Sequence, residues 1–226
     1  MTLCLDLQDI QSRHAPETGG KALALALLFQ QGFSVPDGLC ILTEAYRRFV
    51  DSTSLAERIR LELSRKEFHR MRWDELWDTS MRIRHLFTKT PFPRELESML
   101  TEDIKEKLGE DTVAVRSSAI GEDSHELSFA DLHESVLNVK GTSSILGQVK
   151  RVWASLWSDT ALLYRQKLGL EVESSAMAVL VQRFIPGTCS GVVFSQSPLD
   201  PNVAVIEAVS GLAKGLVACR SCSPGR

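Results

Sequence analysis

Leu3, Leu5 and Leu7 alternate with Cys4 and Asp6, the period-two pattern of a short strand. Ser12 to Thr18 is polar and contains Pro16, which predicts a loop. Gly19-Gly20-Lys21 then opens an Ala/Leu-rich helix, Ala22 to Gln31, stopped by Gly32. Val35 to Gly38 is a turn and Leu39 to Leu42 a strand. Thr43 stands as N-cap of a helix bearing Ala45, Tyr46 and Phe49. Residues 51–110 are predicted helical. Ser54 and Glu57 have capping-box spacing ahead of Leu55, Ile59 and Leu63. Trp73, Leu76, Trp77, Ser80 and Phe87 form one helical face, expected to pack into the core. Leu96, Met99, Leu100, Ile104 and Leu108 form another, ended by Gly109.

The second half changes period. Thr112 to Val115 predicts a strand that delivers Arg116, Ser117 and Ser118 to its carboxyl end. A small-residue loop with Glu122 and Asp123 follows, and Ser135 to Val139 is strand-like. An amphipathic helix spans Ser143 to Trp157, with Ile145, Val149, Val152, Trp153 and Leu156 on one side. Asp159 or Thr160 caps a further helix to Leu168, stopped by Gly169. Ala176 to Phe184 is a nearly continuous apolar run, the profile of a buried strand, with Gln182 and Arg183 near its end. Ser190 to Phe194 and Val203 to Glu207 are the last predicted strands. The division expected is a largely helical subdomain over 1–110 and an α/β subdomain over 111–226.

Composition narrows the class. The 226 residues are 43% hydrophobic and 24% charged, ordinary for a globular protein. A net charge of −3 argues against general nucleic-acid binding but leaves room for a local basic pocket. There is no apolar run long enough for a membrane span, and the opening residues lack a basic leader and apolar core, so neither membrane nor export is expected. Five scattered cysteines fit a reducing compartment, hence a cytoplasmic protein. Cys219 and Cys222 make one CxxC without a second ligand pair, so no metal site is assigned.

Two stretches carry chemistry. Arg116 at a strand end has a planar fork suited to phosphate oxygens, and hydroxyls with Gly-loop amides can complete an anion cradle. Alternatively Arg116 pairs with Glu122 or Asp123 and pins the loop. Gly19-Gly20-Lys21 at a helix start also suits an anion, through backbone N–H groups and the helix dipole, although Lys21 taken alone reads first as a solvated residue of the first turn. It is not a Walker A loop, because Ala15 stands where that motif needs Gly, and Ala22 where it needs Ser or Thr.

VRSSAIGEDSHELSFADLHESVLNV resembles the VRSS-A-x-x-ED…SFAG…E-[ST]-x-LNV pattern of the ATP-binding domain in pyruvate phosphate dikinases and phosphoenolpyruvate synthases. Rifampicin phosphotransferases and glucan water dikinases share that domain. GGKALALALLFQQGFSVPDGLCILTEAYRRF, VQRFIPGTCSGVVFSQSPLDP and IEAVSGLAKGLV are similar to further runs of the family, so the resemblance covers residues 14–217.

The resemblance implies an α/β (α+β) fold of the ATP-grasp type, with nucleotide between two subdomains. It also implies phosphoryl transfer from MgATP to a histidine on a separate carrier domain, then to a second substrate. Carried over position by position, Lys21 and Arg116 hold phosphates, Ser135 stands beside the nucleotide and Gln182 lies near the base. Asp131 replaces the usual Gly of SFAG, and a carboxylate there repels a triphosphate unless Mg²⁺ or Lys lies between. Ala213 and Lys214 replace the usual Gly and Glu. None of His14, His69, His85, His125 or His133 has the carrier-histidine context. The family's metal-binding acid also lies past the last matching run, so the expected domain is C-terminally incomplete: a fragment, truncated isoform or partial gene product. A non-catalytic nucleotide-binding or regulatory fragment is the alternative.

Overall fold

A computed structural model describes residues 2–119, 123–124, 127–128, 135–169, 175–197 and 200–212. Two compact units emerge, residues 1–184 and 185–226. The first is built on a five-stranded sheet of order β1 (Cys4–Asp6), β2 (Gly38–Ile41), β7 (Met177–Arg183), β3 (Val113–Ala119) and β6 (Ser135–Val139). Every neighbouring pair is antiparallel. Because β1 and β2 share this sheet with β3, β6 and β7, the boundary expected at 110/111 falls inside one unit. Two short strands, β4 (Asp123–Ser124) and β5 (Leu127–Ser128), pair with each other between β3 and β6.

The sheet has two apolar sides. On one, Leu39, Ile41, Val113, Val115, Met177, Val179 and Val181 join the large core formed with α2 (Thr43–Ser52), α3 (Leu55–Leu63), α4 (Trp73–Lys89), α5 (Arg94–Leu108), α6 (Thr142–Ser155) and α7 (Asp159–Leu168). Aromatic rings concentrate there: Trp153 packs against Tyr46, Phe49 and Phe92, and its indole N–H donates to the Met177 carbonyl at 3.1 Å. Arg165 is buried beside them and donates to the Leu156 carbonyl at 2.6 Å, which satisfies an acceptor at the end of α6. Burial brings its guanidinium down to about 10, against a smaller opposing pull from Tyr46.

On the other side lies α1 (Ala15–Gln30). Ala22 and Ala26 pack against Cys40 of β2, Leu42 just past its end, and Ala178 and Leu180 of β7. Alternation along a strand sends neighbours to opposite faces. The odd-numbered apolar residues of β7 therefore serve the large core, and its even-numbered ones face α1. This parity positions the candidate site.

Several expectations give way to the geometry. The loop expected over 12–18 is instead a 3₁₀ turn (Ser12–His14) followed by the first turn of α1, where Pro16 is tolerated because that turn lacks N–H partners anyway. Ser54 has φ 55° and makes no side-chain cap, so its capping-box spacing is not used. Thr43 is the first residue of α2, not its cap, and accepts from Arg47 at 3.3 Å. Ser158, not Asp159 or Thr160, caps α7 by accepting from the Ala161 N–H at 3.2 Å. Trp73 and Trp77 are 62% and 48% exposed, whereas Leu76, Ser80 and Phe87 are buried. The tryptophans lie on the flank of α4 and not in its core stripe.

The second unit contains the hairpin β8 (Cys189–Phe194) and β9 (Val205–Ser210), in register from Cys189 with Ser210 to Phe194 with Val205. The last strand starts two residues later than expected because the Val203 N–H is used to close the turn onto the Asp200 carbonyl, at 3.1 Å.

Candidate nucleotide-binding face

α1 is two helical segments that meet at Gly19, whose φ of 72° and ψ of 174° interrupt the helix. The chain restarts there, so Gly20, Lys21 and Ala22 occupy a fresh helix start, where the first N–H groups lack partners within the helix. One of them is accounted for from outside: the Ala22 N–H donates to the Ser118 hydroxyl at 3.1 Å in a buried contact. Next door, the Lys21 ammonium donates to the Ser117 hydroxyl at 3.4 Å. Both serines are fully buried. The Gly-Gly-Lys and Arg-Ser-Ser stretches, 96 residues apart, are one contact region.

β3 runs on to Ala119, beyond the Val115 end expected, because β7 pairs with it over all seven residues. Arg116, Ser117 and Ser118 are therefore inside a strand of an antiparallel sheet, and the strand-end argument for them does not apply. What places Arg116 is register. It sits opposite Leu180 of β7 and opposite Ser135 of β6. Directly opposed residues share a face, and Leu180 packs against α1. Half-buried Arg116 and exposed Ser135 thus lie on the α1 side of the sheet.

A bulge in β6 is responsible for the second pairing. Val139 opposes Val113 and Val136 opposes Val115, so Leu137 and Asn138 together face the single residue Ala114. Asn138 takes φ 60°, in the left-handed region that Asn tolerates better than most residues. Without the extra residue Val136 would stand opposite Arg116. Nothing in the SVLNV pattern read as a uniform strand announces this.

Gln182 is opposite Ala114 and Gly38, again on the α1 side. It is 6% exposed, and its amide donates to the Pro36 carbonyl at 2.9 Å. A Cβ on Gly38 would come within 2.8 Å of the Val181 carbonyl, so the strand pair closes there only around glycine. Arg183 ties the same corner together, bonding to Asp111 at 2.8 Å and Asp37 at 3.5 Å. The loop holding Asp131, the expected partners of Arg116 in residues 122–123, and positions 213–214 lie outside the residues whose side chains are described.

The described members of this face offer ammonium, guanidinium, hydroxyl and N–H donors and no carboxylate. That donor set is the complement of a polyphosphate. Among the described residues no group of three His, Cys, Asp or Glu could hold a metal ion. Among them, too, no helix is long and apolar enough to cross a membrane.

A mixed helix-and-sheet domain with donors gathered in this way is of a nucleotide-binding class. Residues 15–223 match the family described as the AMP/ATP-binding domain of pyruvate phosphate dikinase, and the chain belongs to that family. The expectations of family and of mixed α+β class are borne out. The chain is 39% identical to a phosphoenolpyruvate synthase of Aeropyrum pernix over 95% of its own length and 27% of that protein's. It is 34% identical to a rifampicin phosphotransferase of a Streptomyces species, covering 95% of this chain and 25% of the relative. A probable phosphoenolpyruvate synthase of Methanocaldococcus jannaschii is also 34% identical, over 93% of this chain and 18% of that one. The chain thus spans about a quarter or less of the length of these relatives.

Proposed function

We propose that this chain is the ATP-binding part of a dikinase-type phosphotransferase, in which phosphoryl passes from ATP to a histidine on a separate domain and from there to a second substrate. The observation that carries the reading is the meeting of α1 with β3, the Ala22 N–H on Ser118 and Lys21 beside Ser117, with Arg116, Ser135 and Gln182 on the α1 side of the sheet. In this reading Lys21 and Arg116 take the phosphates, Ser135 stands beside the nucleotide and Gln182 lies near the base.

Phosphoryl transfer depends mainly on positioning and on neutralising charge that spreads over the phosphate oxygens. A guanidinium carried on an interior strand and an ammonium held against a buried hydroxyl supply both. Mg²⁺, when bound, would supply further positive charge to the phosphates and would offset a carboxylate such as Asp131. The fold is read as ATP-grasp and the compartment as the reducing cytoplasm, which suits the free thiols of Cys4, Cys40 and Cys189.

Isothermal titration with MgATP tests the proposal. Wild type is expected to bind, and Lys21→Ala and Arg116→Ala each to weaken binding about tenfold or more, the worth of one charge-assisted contact. A wild type that does not bind, or two variants that bind as wild type does, overturns it. Incubating the loaded chain with a relative's separately expressed carrier domain then distinguishes a transferase, which labels the histidine, from a module that only binds nucleotide.

A further inference from the structure

We infer that Ser118 is a positioning residue for the phosphate-binding lysine, acting through the restarted start of α1; this rests on the nucleotide reading above. Ser118 lies opposite Ala178 of β7, on the side of the sheet that α1 covers, and is fully buried. Its hydroxyl accepts the N–H of Ala22, the residue next to Lys21. The ammonium of Lys21 is meanwhile held by the neighbouring Ser117. Two consecutive residues of one strand therefore grip both ends of the lysine: the backbone at its root and the charge at its tip.

The contact is not a routine helix cap. An N-cap residue directly precedes its own helix and accepts an N–H two or three positions on, whereas Ser118 comes from a strand 96 residues away. What it fixes is the placement of the helix start relative to β3 and hence to Arg116, two residues upstream of Ser118 on the same face. Binding by several charged groups at once is sensitive to displacements of about 1 Å, so losing this tether acts on phosphate contacts first. A serine that served stability alone would instead affect nucleotide and nucleoside binding equally.

The test is titration of the 226-residue chain with MgATP and, separately, with adenosine. Ser118→Ala and the near-isosteric Ser118→Cys, whose sulfur accepts poorly, are expected to weaken MgATP binding about tenfold, with adenosine unchanged within about twofold. In a Lys21→Ala background, Ser118→Ala is expected to add less than about twofold, because both changes remove the same contact. Should Ser118→Ala fail to fold, the Cys variant carries the comparison alone and with Lys21→Ala. Losses that multiply in the double variant, equal losses for ATP and adenosine, or Ser118 variants that bind MgATP normally overturn the positioning role and leave the nucleotide reading standing. A wild type that binds neither compound overturns both.

Discussion

Gly19 approaches Ser118 so closely that a Cβ on it would lie 2.1 Å from the Ser118 carbonyl oxygen and 2.8 Å from its hydroxyl. The backbone at Gly19, with φ 72° and ψ 174°, is also in a region open essentially to glycine alone. Sterics and conformation demand the same residue, and the consequence is a helix that breaks and restarts against β3.

Gly19→Ala is therefore expected to cost about 3–5 kcal/mol, combining backbone strain with overpacking. Gly32 provides the control: its φ is 87°, but nothing lies within 4 Å of its would-be Cβ. Gly32→Ala should cost only about 1–2 kcal/mol. Urea denaturation of both variants separates the two effects. Equal costs would show that backbone conformation decides, and that the contact with Ser118 does not.

Arg116→Lys keeps the charge and removes the planar fork. MgATP affinity is expected to fall about tenfold, because a point charge cannot bond two phosphate oxygens in parallel. Titration at two ionic strengths checks this. A variant as tight as wild type would mean that Arg116 contributes charge alone.

The four tryptophans divide by burial, Trp153 and Trp157 being at most 2% exposed. Iodide is expected to quench the Trp73 and Trp77 contribution to fluorescence and to spare the other two. Trp73→Ser and Trp77→Ser should each change stability by less than about 0.5 kcal/mol. Trp153→Ala should cost about 3–5 kcal/mol. A large loss from Trp77→Ser would return that residue to the core.

Cys40 is fully buried beneath α1, and burial pushes its thiol well above its ordinary value of 9.0. Above that pH the unfolded chain releases the proton while the folded chain keeps it. The stabilisation is therefore complete below pH 9.0 and is lost as pH rises beyond it. One such group contributes a slope of at most about 1.4 kcal/mol per pH unit. Urea midpoints at rising alkaline pH should fall less steeply in Cys40→Ala than in wild type. Identical slopes would show that the thiol titrates in the folded state.

Most helices and strands were legible along the chain because their signals are local. The stripe Leu96, Leu100, Ile104, Leu108 marks α5, and the apolar run from Met177 marks β7. Glycines at 32, 109 and 169 mark helix ends, each with positive φ. Caps are less legible: Ser54 and Thr43 have the right chemistry at the right spacing, but a cap forms only if the backbone turns the side chain toward the free N–H groups. Trp73 and Trp77 failed differently. Helical spacing identifies a face, and whether that face is covered depends on where neighbouring helices lie.

The sequence by itself determined the period of each segment, the glycines that stop helices and the two motif stretches that point to a phosphate ligand. Tertiary structure decided which side of the sheet each site residue occupies. Strand parity is set by register with partners far along the chain, and the extra residue at Leu137–Asn138 brings Ser135 instead of Val136 opposite Arg116. It also decided that Gly19 breaks α1, since the break depends on the approach of Ser118 from 99 positions away. Local patterning specifies elements through propensity and hydrophobic period. A site assembled from several elements depends on their mutual packing, which is fixed only when the chain has folded.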